Sequence, residues 1–340
     1  MRQFLNKITS NQSLSLEEME VATRQMFSEE TTDTEIGAFL TGLKLKGETA
    51  DEITGLVNVI REKSLTLPKE LTGVMDNCGT GGDGSQSFNI STTSAFVIAG
   101  TGITVAKHGN RSISSKTGSA DVLENLGVSL TLNPEQTHEV LKENGISFLF
   151  APNVHPALKR VMKVRRDLGV PTIFNLIGPL TNPVALTTQL LGIYRRDMLD
   201  QMASVLHKLG RKRAIILNGA GHMDEASLAG ENHLVLIEKG ELMQFTLHPE
   251  EVGLPVYDNE AIKGGDSKEN AAILRNVLKG EKGAHRDTVL LNAGLGIFAN
   301  GKAATVQEGV HLAKESIDSG AALAKLNYLI EYSSKVKQGV

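Results

Sequence analysis

The sequence contains no tryptophan and a single cysteine, Cys78. One thiol excludes an intramolecular disulfide and fits a reducing compartment. Long hydrophobic runs are missing as well. The longest, Ala95 to Ala99, is far short of the ~20 residues that a membrane span requires. The opening residues Met1-Arg2-Gln3-Phe4-Leu5-Asn6-Lys7 hold no apolar stretch of the kind a secretion signal uses. These absences predict a cytoplasmic protein without a membrane partner. Nor is there an excess of positive charge: 35 Lys and Arg against 39 Asp and Glu leave a formal net charge of −4. Nucleic-acid binding through bulk charge is therefore not expected.

Glycine, by contrast, is abundant: 34 in 340 residues, about 10% against an average near 7%. The length corresponds to about two domains at ~150 residues each. A chain of this size removes roughly three quarters of its unfolded surface from water, so it needs neither a disulfide nor a structural metal.

Residues 1–70 read as helices only. Three capping boxes succeed one another, Ser15 with Glu18, Thr32 with Glu35 and Thr49 with Glu52. Each pairs a side-chain oxygen with an orphan N–H and returns the bond from the glutamate. Ile36, Phe39, Leu40 and Leu43 follow the second box; Ile53, Leu56, Val57 and Ile60 follow the third. This i, i+3, i+4, i+7 spacing predicts one apolar stripe per helix. Gly47 is expected to end the earlier of these two helices in a left-handed conformation.

From about residue 73 short β-type runs alternate with helical ones. Beyond the first strand, Ile103–Ala106, Ile146–Phe150, Leu190–Tyr194, Ala214–Leu217 and Thr288–Leu291 are strand candidates. Asn133-Pro134-Glu135-Gln136 supplies an N-cap, a proline in the first turn and a boxed glutamine. Leu234–Ile237 and Leu242–Leu247, joined through Glu238-Lys239-Gly240, predict a hairpin. The expected fold class is α/β: a small N-terminal all-α domain, 1–70, and a large domain, 71–340, with a mostly parallel sheet.

The densest glycine cluster is Asp76-Asn77-Cys78-Gly79-Thr80-Gly81-Gly82-Asp83-Gly84. It matches GxGxxG formally, but Asp83 would repel a dinucleotide pyrophosphate. No acid stands ~20 residues on to hold a ribose; Lys107 and His108 occupy that region. A phosphate-binding loop and a ligand-free glycine turn both remain open. Asn89-Ile90-Ser91-Thr92 precedes an apolar helical run, with Ser91 and Thr92 as expected caps. That helix would point its positive end at the loop. Lys107-His108-Gly109-Asn110-Arg111-Ser112-Ile113-Ser114-Ser115-Lys116, then Thr117-Gly118-Ser119, place cations and hydroxyls after a strand. There they can meet phosphate oxygens or simply form a solvated loop.

Asp224-Glu225 follows the Ala214–Leu217 strand. Two acids opposite a phosphate loop suit Mg²⁺, which takes one or two protein carboxylates and completes its shell with water and phosphate. A solvated acidic pair is the ordinary alternative. Lys159, Lys163 and Arg166 form a solvent stripe, whereas Arg165 shares a face with Leu158, Val161 and Met162. A guanidinium on an apolar face requires an anionic partner, either protein or ligand.

Taken in order, these motifs, with Ile173-Phe174-Asn175, Gly178-Pro179-Leu180, Met223-Asp224-Glu225 and Asn292-Ala293, resemble the anthranilate phosphoribosyltransferase family over essentially the whole chain. The resemblance implies a fold shared with pyrimidine nucleoside phosphorylases. It also implies a segment near 165–185 packing back on the small domain, and a homodimer formed through that domain. The implied activity transfers the phosphoribosyl group of 5-phosphoribosyl 1-diphosphate to the amine of anthranilate, releasing pyrophosphate, in tryptophan biosynthesis. A pyrimidine nucleoside phosphorylase-like pentosyltransferase and a non-enzymatic nucleic-acid-binding relative are the alternatives.

By the same resemblance, Gly79, Gly82, Asp83, Ser87, Asn89, Ile90, Ser91 and Thr92 would surround the donor. So would Lys107, His108, Gly109, Asn110, Arg111, Ser112, Ile113, Ser114, Ser115 and Ser119. Anthranilate would meet Gly79, Asn110, His155, Arg165, Gly178 and Pro179. Ser91, Asp224 and Glu225 would hold two Mg²⁺ ions per subunit. No covalent nucleophile or strong base is implied; Lys107 and His108 would position the reactants. Ser87 stands where the family usually has threonine, Lys163 where proline is common and Asn218 where histidine is common.

Overall fold

The computed structural model describes residues 1–67, 71–111 and 117–338. Among the described residues up to 67, all regular structure is helical: α1 Arg2–Thr9, α2 Leu16–Met26, α3 Asp33–Lys46 and α4 Ala50–Glu62. All three expected capping boxes form, at Ser15, Thr32 and Thr49, each cap being worth roughly 1 kcal/mol. Ile36, Phe39, Leu40 and Leu43 belong with Ile53, Leu56, Val57 and Ile60 to one core. Gly47 ends α3 with φ 87° as glycine allows, but ψ 125° lies outside the left-handed helical region expected for it.

The remaining elements are β1 Met75–Gly79, α5 Ile90–Gly100, β2 Val105–Gly109, α6 Ser119–Asn125, α7 Pro134–Asn144 and β3 Ile146–Phe150. After them come α8 Ala151–Val154, α9 Lys159–Leu168, β4 Thr188–Gly192, α10 Leu199–Lys208, β5 Arg213–Asn218, β6 Asn232–Glu238 and β7 Glu241–Leu247. Four helices close the chain: α11 Ser267–Leu278, α12 Ala284–Asn300, α13 Val306–Asp318 and α14 Ala321–Gln338.

The seven strands form one sheet in the order β3-β2-β1-β4-β5-β6-β7. The first five pair in parallel, while β6 and β7 are antiparallel. Strand alternation supplies a core to each face. Ile215 and Leu217 join α5, α12 and α14 on one side. Ala214 and Ile216 join α10 and the N-terminal helices on the other. Val161 and Val164 of α9, with Ile173 and Phe174, belong to that second core. Asp33 of α3 fastens α9 from outside, accepting from Arg160 Nε and Lys163 Nζ at 2.9 Å each. Lys163 is thus exposed but paired rather than merely solvated.

One strand expectation fails outright. Thr288–Leu291 lies inside α12, whose apolar residues are buried nearly all round; a short run of that kind carries no periodicity to separate strand from buried helix. The strand expected at Ile103–Ala106 starts two residues later and ends three later, as Val105–Gly109, and that expected at Leu190–Tyr194 lies two residues earlier, as Thr188–Gly192. The hairpin forms as expected, and its two turn residues, Lys239 and Gly240, both have positive φ (52° and 85°), as a type I′ turn demands.

Candidate active site

Strands progress outward from β1 in one direction and from β4 in the other, and ligands bind at the carboxyl ends of strands beside such a reversal. A cleft of about 560 Å³ opens there. The loop after β1 contributes Gly79, Gly82, Asp83 and Ser87, and the start of α5 contributes Asn89, Ile90, Ser91 and Thr92. Lys107, His108 and Gly109 enter from β2, followed by Asn110, Arg111 and Ser119. His155 and Arg165 line it as well, with Gly178 and Pro179, and so do Asp224 and Glu225. Every described candidate residue therefore reaches one cavity. Ser112, Ile113, Ser114 and Ser115 lie outside the described residues.

The acidic turn is held by backbone. Gly81 N donates to Asp224 Oδ2 at 2.6 Å, and Ser91 N donates to Glu225 Oε1 at 3.1 Å. Ser91 and Thr92 are not caps: α5 starts at Ile90 behind Asn89, so both sit in its first turn. Ser91 N is one of the unpaired amides of that turn, and Glu225 takes it. Two glycines admit the turn. A Cβ on Gly79 would lie 2.1 Å from Asp224 Oδ2, and one on Gly192 would lie 1.6 Å from the Asp224 carbonyl oxygen. Asn218 steadies the same turn, donating from Nδ2 to the Ile193 carbonyl at 2.7 Å and to that of Met223 at 3.4 Å.

Burial pushes the Asp224 carboxyl well above its usual range, and the Asp83 and Glu225 charges push it further. Glu225 is pushed up to about 7, mainly by burial, against the pull of Lys107. Among the described residues no three His, Cys, Asp or Glu groups cage a metal. Crowded, incompletely neutralised oxygens beside a glycine loop and a helix N-terminus instead fit a hard cation that shares its shell with a bound phosphate.

Beneath the cleft, Lys107 is fully buried and donates to the Asn77 carbonyl. Buried Asp76 accepts from Asn182 Nδ2 at 2.9 Å. Cys78 Sγ lies 3.6 Å from Asp76 Oδ2. Burial and the Asp76 charge push its thiol up, the reverse of what activates a nucleophile. His108 is held down to about 3, by burial and then by His155, and His155 to about 4 by burial. Both are neutral imidazoles near pH 7.

Arg165 makes no ion pair among the described residues. Its Nη1 meets Met162 Sδ at 3.1 Å, its Nη2 meets Asn175 Oδ1 at 3.3 Å, and the guanidinium lies 5.1 Å over the Phe174 ring. Burial lowers its pKa from the ordinary value, a cost that an anion in the cleft would reverse. Arg111, in contrast, is exposed and engaged with Asp121 at 2.7 Å and Glu124 at 2.6 Å.

Sequence reasoning missed Tyr194, Met162, Asn175 and Thr181 as lining residues. Met162 had been placed correctly on the Arg165 face, and Asn175 stood in a quoted motif. Nothing in the spacing marked Tyr194, whose ring packs 3.7 Å from the Cβ position of Gly82.

Residues 2–64 match the family described as "Glycosyl transferase family, helical bundle domain", and residues 71–323 match "Glycosyl transferase family, a/b domain". The chain is 62% identical, over 97% of each, to a protein of Exiguobacterium sibiricum named anthranilate phosphoribosyltransferase. The crystal structure of anthranilate phosphoribosyltransferase from Thermus thermophilus superposes with TM-score 0.92 at 42% identity, covering 97% of this chain and 99% of that one. The Saccharomyces cerevisiae anthranilate phosphoribosyltransferase in complex with PRPP and Mg superposes with TM-score 0.90 at 28% identity, covering 98% and 97%.

Proposed function

The chain belongs to the anthranilate phosphoribosyltransferase family, and from that membership we propose the following activity. It transfers the phosphoribosyl group of 5-phosphoribosyl 1-diphosphate to the amine of anthranilate, giving N-(5-phosphoribosyl)anthranilate and pyrophosphate. The phosphorylase-like and nucleic-acid-binding alternatives are not favoured, since relatives matched over nearly the full chain carry the transferase name. One observation carries the assignment: a single cleft is lined by a glycine loop, by an acidic turn bonded to it, and by an arginine lacking any carboxylate partner among the described residues.

Gly79, Gly82, Asp83, Ser87, Asn89 to Thr92, Lys107 to Arg111 and Ser119 form the donor side; Ser112, Ile113, Ser114 and Ser115, outside the described residues, would bind the donor with them. Gly79, Asn110, His155, Arg165, Gly178 and Pro179 form the anthranilate side. Ser91, Asp224 and Glu225 would hold Mg²⁺, two ions per subunit. When bound, Mg²⁺ neutralises charge developing on the departing pyrophosphate. Lys107, buried among the lining residues, would add positive charge on the donor side. Anthranilate's aromatic amine is neutral at pH 7, so the chain has to orient it and exclude water rather than deprotonate it. Neutral His108 and His155 suit that task. Displacement at the anomeric carbon then proceeds with oxocarbenium character and inversion. The helical unit 1–70, with the returning segment 165–185, would form the dimer contact of a cytoplasmic homodimer. The described helices include none long and apolar enough to cross a membrane.

Loss of anthranilate fluorescence in the presence of the donor and Mg²⁺ tests the activity. Arg165→Ala is expected to raise the KM for anthranilate roughly tenfold to thirtyfold by removing a charge-assisted contact, with the donor KM unchanged. An unaltered anthranilate KM would refute the carboxylate assignment.

A further inference from the structure

Ser64 follows α4 on the segment leaving the helical unit and is not among the residues lining the cleft. Its Oγ lies 2.7 Å from His155 Nδ1. His155 Nε2 lies 3.1 Å from His108 Nε2, and His108 Nδ1 lies 3.1 Å from the Gly178 carbonyl oxygen. The two rings meet edge to face, with centroids 5.1 Å apart. Leu65 N donates to the Val154 carbonyl at 3.0 Å, fastening the segment beside the chain of bonds.

A carbonyl only accepts, so His108 must carry its proton on Nδ1. A neutral ring then leaves Nε2 bare, and His155 must donate to it from its own Nε2. That leaves His155 Nδ1 bare, and among the described residues the Ser64 hydroxyl is the group bonded to it. The Ile60 carbonyl, 2.7 Å from the same Oγ, competes for the single hydroxyl proton. With the proton on that side, Ser64 Oγ and His155 Nδ1 would face each other as two acceptors. The carbonyl at the far end therefore decides every proton in the series. Burial keeps both rings neutral, as this arrangement requires.

We propose that Ser64 is a positioning residue, whose hydroxyl completes the bond series that the Gly178 carbonyl dictates in His108 and His155 and so helps hold the Gly178-Pro179 edge of the cleft. Gly178 is also gripped by Thr181, whose Oγ1 donates to the same carbonyl at 3.0 Å. The edge thus hangs between a local turn and a bond series that starts at the junction of the helical unit. The kinetic consequence rests on the assignment of this edge to anthranilate; the tautomers do not.

Long-range proton–nitrogen NMR correlations on histidine-labelled protein read the tautomers, with His108→Gln and His155→Gln assigning the signals. The expected result at neutral pH is Nδ1–H for His108 and Nε2–H for His155. In Ser64→Ala, the His155 nitrogen signals shift and the KM for anthranilate rises about fivefold to tenfold, the scale of one lost hydrogen bond. The donor KM stays within about twofold, and Ser64→Thr restores the wild-type values. Reversed tautomers overturn the proposal. So does a Ser64→Ala enzyme with unchanged histidine signals and unchanged anthranilate KM. Wild-type protein that fails to consume anthranilate would instead sink the activity assignment, and the tautomer measurement would still decide the role of Ser64.

Discussion

Combining Asp224→Asn with Glu225→Gln is expected to lower kcat/KM by about 10³-fold or more and to remove its dependence on Mg²⁺. The amides keep the shape of the turn, and Gly81 N and Ser91 N still find carbonyl oxygens. What disappears is the negative charge that would bind a hard cation. Steady-state rates across a Mg²⁺ titration check this, and substantial Mg²⁺-stimulated turnover in the double variant would remove these residues from the metal site.

The same substitution has a stability signature whose sign follows from the protonation equilibria. Glu225 sits at about 7 in the fold, above its ordinary 4.5. Its contribution to stability is therefore fully present below about 4.5 and is lost as pH rises through about 7. His108 and His155 act oppositely. Their folded values of about 3 and about 4 lie below 6.5, so their contribution is full above 6.5 and declines as pH falls toward those values. Between about 4.5 and 6.5 the two trends offset each other in the metal-free protein. Adding Mg²⁺ isolates the carboxylates, because a cation competes only with their protons. The rise in Tm on adding Mg²⁺ should be larger at pH 8 than at pH 5. It should vanish in the double variant at both.

What the sequence made legible follows from how locally each feature is determined. The boxes at Ser15, Thr32 and Thr49 formed because their partners lie three residues away, and the further bonds that Glu18 accepts from Lys7 and Glu52 from Leu14 N leave them intact. Thr288–Leu291 was misread because complete burial erases the period that distinguishes helix from strand. Ser91 and Thr92 were placed one turn early, since a hydroxyl in a first turn looks the same in sequence as one at the cap. Arg165 was legible as a misfit on an apolar stripe. Its supports, Asn175 and Phe174, belong to a later segment, and only folding shows that they meet it. Ser64 lay beyond reach altogether: its partner stands 91 residues away, and a serine after a helix has many ordinary uses.

Gly192 belongs to that last class, outside every motif, yet its replacement should be among the most damaging in the chain. It ends β4, paired with Gly79 of β1 on one side and Leu217 of β5 on the other. The sheet therefore fixes its position. A Cβ there would stand 1.6 Å from the Asp224 carbonyl oxygen and 2.5 Å from its carbon, so the acidic turn has to move. It cannot move freely. Gly219 N bonds the Met223 carbonyl at 2.9 Å, and Asn292 clamps Ala226 on both sides, accepting from its N at 2.9 Å and donating to its carbonyl at 2.8 Å. Displacing ligands by an ångström in a preorganised site is worth about 10²-fold in rate. Gly192→Ala is accordingly expected to lower kcat/KM by at least about 10²-fold, with weaker Mg²⁺ binding and an unchanged far-UV circular dichroism spectrum. Gly37→Ala is the matched control. Its Cβ would make only ordinary contact, 3.6 Å from Leu168, in the middle of α3, where alanine is favoured over glycine by about 0.5–1 kcal/mol. It should leave kinetics intact and raise Tm. Near wild-type activity in Gly192→Ala would mean that the turn carrying Asp224 does not have to rest against the end of β4 for catalysis.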